Sequence, residues 1–115
     1  MSRTDLRNKV EEMVAKANFE LRQDVLKLLR RAYLKESSKK AKDALGWILE
    51  NAKIAKNENL AICQDTGLPL IFIQAGKSAN LSLALIKEIE KAVESGYRKN
   101  YLRPSLTDPF KRTNP

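Results

Sequence analysis

Apolar residues recur at spacings of three and four along most of this 115-residue chain, and this helical period constrains its fold more than any other feature. The clearest stripe predicts a helix that follows Ser37 or Ser38 as its N-cap and ends at about Lys56. Its members are Ala41, Ala44, Leu45, Ile48, Leu49 and Ala52. Gly46 lies inside this helix, where it costs about 1 kcal/mol in helix propensity. It would let another backbone approach closely beside Trp47.

Similar stripes predict three further helices. The first covers about residues 6–17 and ends near Asn18, and the second covers about residues 22–35. The last helix follows Asn80 as its N-cap and continues to about Tyr97. For the first three stripes, packing in a hydrophobic core is the favoured interpretation.

The helical period stops at Asn57-Glu58-Asn59. Two short runs of β-branched and aromatic residues follow at positions 60–62 and 70–73, with glycine and proline at their borders. They predict two strands on either side of a turn at residues 63–67. The predicted fold class is therefore α+β and mainly helical, with about four helices and a short β-hairpin-like pair of strands around the Cys-Gln-Asp-Thr-Gly turn. Beyond Tyr101 three prolines predict irregular structure, with a turn at Thr107-Asp108-Pro109.

Length and composition predict one compact globular domain in the cytoplasm. Hydrophobic residues make up 43% of the chain, an ordinary share for a globular protein. The longest apolar runs are far shorter than the ~20 residues of a membrane helix, and no apolar segment follows the N-terminus as a secretory signal requires. The single cysteine cannot form an internal disulfide, which also favours a reducing compartment.

The net charge of +8 raises the possibility of a nucleic-acid partner. In the first half, however, basic and acidic residues alternate, as in Lys9 with Glu12 and Lys16 with Glu20, which is typical of a solvated helix face. The C-terminal stretch differs, because five cations accompany one acid, Asp108. This local excess suits an anion as small as a dicarboxylate or as large as a phosphate backbone. The cations are Arg98, Lys99, Arg103, Lys111 and Arg112.

Cys63 is the only cysteine, and four polar or turn-forming residues follow it directly in Cys-Gln-Asp-Thr-Gly. A lone thiol is often a small buried hydrophobe. As a nucleophile it would need Asp65 or a lysine as its base, because the chain contains no histidine. One cysteine without histidine cannot build a zinc site, and an iron–sulfur cluster needs several cysteines. A metal at Cys63 would therefore need ligands from elsewhere.

Several elements together resemble the class I fumarase family, the iron–sulfur hydro-lyases that include fumarate hydratase and L-tartrate dehydratase. The first two are residues 52–58, Ala-Lys-Ile-Ala-Lys-Asn-Glu, and residues 62–67, Ile-Cys-Gln-Asp-Thr-Gly. The others follow in the same order as in the family, and the resemblance extends from about residue 6 to the end. They are Gln74-Ala75-Gly76, Gly96-Tyr97, Leu102-Arg103-Pro104-Ser105, Asp108-Pro109 and Arg112-Thr113-Asn114.

The resemblance implies specific roles. In such enzymes three cysteines hold a [4Fe-4S] cluster whose open iron acts as a Lewis acid on a C4 dicarboxylate such as fumarate, malate or tartrate. Cys63 matches the first cluster cysteine. Gln64 and Asp65 match residues beside the substrate, with Asp65 in acid–base catalysis, and Arg103 matches an arginine that binds a substrate carboxylate. Without the resemblance, Arg103 would be interpreted as a surface arginine that caps a helix or pairs with Asp108.

Family alpha subunits continue well beyond the position of Pro115, where they hold the other two cluster cysteines, and a beta subunit or domain adds further site residues. The resemblance therefore implies that residues 1–115 are the N-terminal segment of an alpha subunit and inactive alone. The alternative is a small basic binding module for nucleic acid or an acidic protein, derived from a truncated enzyme gene. Helical stripes left uncovered in such a segment would favour a homo-oligomer.

Overall fold

The structure, a computed structural model, describes residues 2–62, 68–79, 81–111 and 113. Four α-helices follow one another along the described chain, which confirms the four helices predicted from the apolar stripes. They are α1 (Arg3–Phe19), α2 (Gln23–Lys35), α3 (Lys39–Glu58) and α4 (Leu83–Lys99). None of these helices is long and apolar enough to cross a membrane.

The predicted α+β fold class is wrong, because the described residues contain helices and no β-strand. At positions 60–62 the backbone donors bind helix carbonyls instead of a neighbouring strand. The Leu60 N–H donates to the Ala55 carbonyl and the Ile62 N–H to the Asn18 carbonyl, both at 3.0 Å. Residues 70–73 are irregular. Residues 60–62 and 70–73 have the composition of strands, but a strand exists only where a second strand completes its ladder. The turn at residues 63–67 lies outside the described residues.

The chain divides into two compact units. The central unit is Lys16–Gln64, and the terminal unit combines Met1–Ala15 with Asp65–Pro115.

In the central unit, α2 packs against α3. A Cβ placed on Gly46 would lie 3.4 Å from the Tyr33 ring, so the glycine of α3 is where the aromatic side chain of α2 approaches. The Lys42 ammonium lies 5.3 Å from the centre of the same ring, within the range of a cation–π interaction. The buried apolar residues of this unit are Phe19, Ala52, Ala55 and Ile62. No residue of α2 is buried, so this helix remains largely solvated.

In the terminal unit, α1 packs closely against α4 at Glu11 and Val14. A Cβ placed on Gly96 would lie only 3.1 Å from the Val14 Cβ, which shows how near the two helices come at this point. Ser82, and not Asn80 as predicted, is the N-cap of α4, and its hydroxyl accepts a hydrogen bond from the Leu85 N–H at 3.2 Å. The buried apolar residues are Val10, Val14, Ile89, Ala92 and Leu102.

Candidate functional site

Of the four residues predicted to form the site, the structure describes one. Cys63, Gln64 and Asp65 lie outside the described residues, and Arg103 is an exposed residue in the irregular segment after α4. Among the described residues, no three histidine, cysteine, aspartate or glutamate side chains come together to hold a metal ion.

The chain that leads to Cys63 is well anchored. Asn59 caps α3 in the left-handed conformation, with φ of 53°, and its N–H donates to the Ala55 carbonyl. This conformation is tolerated best by glycine and asparagine, and it turns the chain sharply out of the helix. Ile62 is then buried, and its N–H is bonded to Asn18. The helix cap and the buried isoleucine therefore fix the backbone immediately before the thiol.

The chain that leads to Arg103 is anchored in a similar way. The Asn100 side-chain amide donates to the Gly96 carbonyl at 2.7 Å, and Tyr101 adopts a φ of 53°. Leu102 is buried and its N–H donates to the Tyr97 carbonyl at 3.0 Å. Arg103 follows directly and precedes a proline, which keeps its backbone away from the helical region. The exposed Arg103 is thus directly preceded by a leucine whose position is fixed by burial and by a backbone hydrogen bond.

A turn follows Asp108 over residues 109–111, slightly later than the predicted turn at Thr107-Asp108-Pro109. Its carboxylate accepts hydrogen bonds from the backbone N–H groups of Phe110 and Lys111, both at 2.8 Å. Its own N–H donates to the Thr113 carbonyl at 2.8 Å. This is the arrangement by which an aspartate closes a turn on its own backbone. Asp108 therefore has a structural role after the segment that carries Arg103.

The predicted positive stretch is partly neutralised. Arg98 forms an ion pair with Glu94 at 2.7 Å, and Lys99 forms one with Glu11 at 2.5 Å. Neither acid belongs to the C-terminal stretch. The negative charge near these cations is therefore greater than the sequence of the stretch alone indicates. Among the described residues, at least Arg98 and Lys99 are therefore already paired, which reduces the positive field available to an anion or a nucleic acid.

A polar cluster that the sequence did not reveal joins α1 to α4 within the terminal unit. Glu11 accepts hydrogen bonds from Lys99 at 2.5 Å and from Arg7 at 3.1 Å, and the Arg7 guanidinium also donates to the Ser95 hydroxyl at 3.3 Å. The hydrogen bond from Lys99, together with those from Ser95 and Arg7, lowers the pKa of Glu11 to about 2. Glu11 and Lys99 are 88 positions apart, so no local pattern could have paired them.

A sequence model of one family, fumarate hydratase (Fumerase), matches residues 7–115. One relative is the protein named "Putative L(+)-tartrate dehydratase subunit alpha" of Methanocaldococcus jannaschii, 39% identical over 107 residues. Another is the protein named "Putative fumarate hydratase class I" of Geobacillus stearothermophilus, 29% identical over 104 residues.

These matches span most of the present chain but only part of each relative. They cover 91% and 90% of this chain, against 38% of the Methanocaldococcus protein and 20% of the Geobacillus protein.

Proposed function

Because this chain belongs to the fumarate hydratase (Fumerase) family, we propose that it is the N-terminal segment of the alpha subunit of a hydro-lyase that adds water to, or removes it from, a C4 dicarboxylate. The observation that carries this proposal is the length of the family match, which includes both the turn at Cys63 and the segment at Arg103. The names of the two relatives support tartrate or fumarate as the substrate. The comparisons lend no support to the alternative of a basic binding module.

In the proposed site, Arg103 binds a carboxylate of the substrate. A guanidinium can donate two parallel hydrogen bonds to one carboxylate, and each charge-assisted bond contributes roughly 1.5–3 kcal/mol. The buried Leu102 supports this role by holding the backbone next to the arginine. Gln64 lies beside the substrate, and Asp65 moves the proton at the carbon next to the one that carries the hydroxyl. General acid–base catalysis of this kind typically contributes about 10²- to 10⁴-fold in rate.

In the same proposal, Cys63 is one of three cysteine ligands of a [4Fe-4S] cluster. With one cysteine and no histidine, this chain does not by itself fit such a cluster. The other cysteines would belong to the part of the alpha subunit that this chain does not span, and a beta subunit would complete the enzyme. The printed name of the Methanocaldococcus relative, an alpha subunit, supports a partner subunit.

A chimera tests these assignments. The present chain replaces the 107 matching residues of the Methanocaldococcus relative, and the chimera is co-expressed with the beta subunit and assayed for tartrate dehydration and fumarate hydration. We expect Arg103→Gln to lower kcat/KM about 10- to 100-fold, mainly through KM, because a charge-assisted hydrogen bond is lost. We expect Asp65→Asn to lower kcat about 10²-fold or more. Cys63→Ser should lower the iron and acid-labile sulfide bound per subunit.

Lys111→Gln is the matched control, because Lys111 is an exposed cation of the same C-terminal stretch without a proposed role. It should leave the kinetics of the chimera unchanged. An active chimera whose kcat/KM does not respond to Arg103→Gln would remove the arginine from the substrate site. Full cluster content in the Cys63→Ser chimera would contradict the ligand assignment.

A further inference from the structure

The C-terminal end of α4 is a left-handed helix cap, formed by residues 96–102 and here called the α4 cap. The Leu102 N–H donates to the Tyr97 carbonyl at 3.0 Å, and the Tyr101 N–H donates to the Arg98 carbonyl at 3.4 Å. Tyr101 itself has a φ of 53°. Two such hydrogen bonds around one left-handed residue define the Schellman motif, in which a helix stops and the chain leaves it in a fixed direction.

Tyrosine is an unusual residue for the left-handed position of this cap. Glycine normally occupies that position, because a side chain is crowded there. A bulky residue is rarely left-handed, and strain of this kind persists only where the surrounding contacts impose it. The Tyr101 side chain is 96% exposed, so packing of its ring against the described residues does not account for the conformation.

Contacts on both sides of Tyr101 hold the left-handed conformation. Before it, the half-buried Asn100 donates from its side-chain amide to the Gly96 carbonyl at 2.7 Å. Lys99, the last residue of α4, is paired with a carboxylate of α1. After it, Leu102 is buried. The left-handed residue therefore connects a helix end that α1 holds to a leucine that burial holds.

We propose that the α4 cap positions Arg103, with Asn100 and Tyr101 as its positioning residues, an inference that rests on the proposed role of Arg103 in binding a substrate carboxylate. Arg103 directly follows the buried leucine, and the proline after it restricts its backbone further. A backbone fixed before the substrate arrives reduces the ordering that binding requires. Helix termination alone does not require the strain at Tyr101, since glycine would end the helix without it.

The test uses the chimera with the Methanocaldococcus relative and compares two variants that both lose the Tyr101 ring. Tyr101→Gly permits the left-handed conformation, whereas Tyr101→Pro fixes φ at about −65° and removes the N–H that binds the Arg98 carbonyl. We expect KM for the dicarboxylate to be about tenfold or more higher in Tyr101→Pro than in Tyr101→Gly, with a similar kcat. A misplacement of about 1 Å in a binding group is sufficient for a loss of this size.

Asn100→Ala tests the side-chain hydrogen bond of the cap and leaves the backbone donors in place. It should raise KM about 3- to 10-fold, because one hydrogen bond that holds the cap is lost. In the Arg103→Gln chimera it should have no further effect on KM, since the group that it positions is absent. In the purified chain, the Leu102 amide should exchange with solvent about threefold or more faster in Asn100→Ala, a readout that does not depend on activity.

Ser82→Ala is the matched control, because Ser82 caps the opposite end of the same helix by accepting a hydrogen bond from the Leu85 N–H. Its loss should lower the free energy of unfolding as a lost cap does, without a change in KM. Equal increases of KM in Ser82→Ala and Asn100→Ala would overturn the inference, because they would reduce the effect to helix stability.

The remaining outcomes separate this inference from the proposed function. Equal KM values for Tyr101→Pro and Tyr101→Gly, in a chimera that still responds to Arg103→Gln, would overturn the positioning role and leave the substrate role of Arg103 intact. An active chimera that does not respond to Arg103→Gln would remove both. Unchanged exchange of the Leu102 amide in both Asn100→Ala and Tyr101→Pro would overturn the inference whatever the kinetics, because the α4 cap would then not depend on these residues.

Discussion

Glu11 is a residue whose surroundings change its acid–base behaviour. Its side chain is only 11% exposed, and it receives hydrogen bonds from the Lys99 ammonium and the Arg7 guanidinium. These donors favour the ionised carboxylate, so the pKa of Glu11 falls from its ordinary 4.5 to about 2. The hydrogen bonds to Glu11 from Lys99 and Arg7 are therefore strongest while the carboxylate is charged.

We therefore expect Glu11 to contribute to acid unfolding. A carboxyl whose pKa is lower in the folded state stabilises the fold fully above its unfolded pKa, and that stabilisation disappears as the pH falls. For Glu11 the loss should begin near pH 4.5 and be complete near pH 2. Glu11→Gln should remove this part of the pH dependence and lower the free energy of unfolding near neutral pH. Urea titrations at a series of pH values measure both effects.

Glu12→Gln is the control for this prediction. Glu12 pairs with Lys9 at 3.3 Å, as expected from their spacing, but its side chain is 68% exposed. Surface pairs of this kind contribute little to stability, so this variant should retain the wild-type pH dependence. If Glu11→Gln shows the same pH profile as the wild type, the cluster does not control acid stability.

At the level of helices, two glycines have opposite roles. Gly96 of α4 faces α1, where a Cβ would lie 3.1 Å from both the Cβ and the Cγ1 of Val14. The valine Cβ is bonded directly to the backbone and its rotamer is restricted in a helix, so it cannot move aside easily. Gly46 of α3 faces the Tyr33 ring, where a Cβ at 3.4 Å makes an ordinary contact.

Alanine substitutions at these two positions should therefore change stability in opposite directions. At Gly96 the overpacking cost of roughly 1–3 kcal/mol exceeds the gain of about 1 kcal/mol in helix propensity, so Gly96→Ala should be destabilising. At Gly46 no overpacking cost offsets the gain in helix propensity, so Gly46→Ala should raise the free energy of unfolding by up to about 1 kcal/mol. The free energies of unfolding of the two variants and the wild type are compared by urea titration monitored by circular dichroism. Equal and stabilising effects would contradict the close approach at Gly96.

The helices were predictable because their signal is local. A period of 3.6 residues needs only neighbouring positions, and the observed starts of α2 and α3 lie within a residue or two of the predicted ones. The error over the strands has a different origin. Residues 70–73 have the composition of a strand, but the described chain supplies no second strand to pair with them.

At the level of the whole molecule, the chain represents a minority of each relative it matches. It covers 38% of the Methanocaldococcus protein and 20% of the Geobacillus protein. Large apolar side chains are exposed in both units, including Trp47 at 74% in the central unit and Phe72 at 91% in the terminal unit. Exposed apolar side chains, where they form a contiguous patch, are common on surfaces that contact further polypeptide.

We expect the isolated chain to be inactive as a hydro-lyase. A single cysteine and no histidine cannot hold the proposed cluster, whatever the arrangement of the remaining residues. After anaerobic reconstitution with iron and sulfide, the purified chain should show neither fumarate hydration nor tartrate dehydration above background. The chimera treated in parallel is the positive control. Robust turnover by the chain alone would contradict both this prediction and the proposed division of the site.

The amino-acid sequence alone determined the helices, the turn at Asp108 and the family. Each of these can be recognised from residue types at short or ordered spacings along the chain, without knowledge of the fold. It also selected Cys63, Gln64, Asp65 and Arg103 as candidates, and their roles stay predictions. Only the tertiary structure decided that Lys99 pairs with Glu11, that Gly96 lies against Val14, and that residues 70–73 lack a strand partner among the described residues. These features depend on which distant segments meet, and no local pattern carries that information.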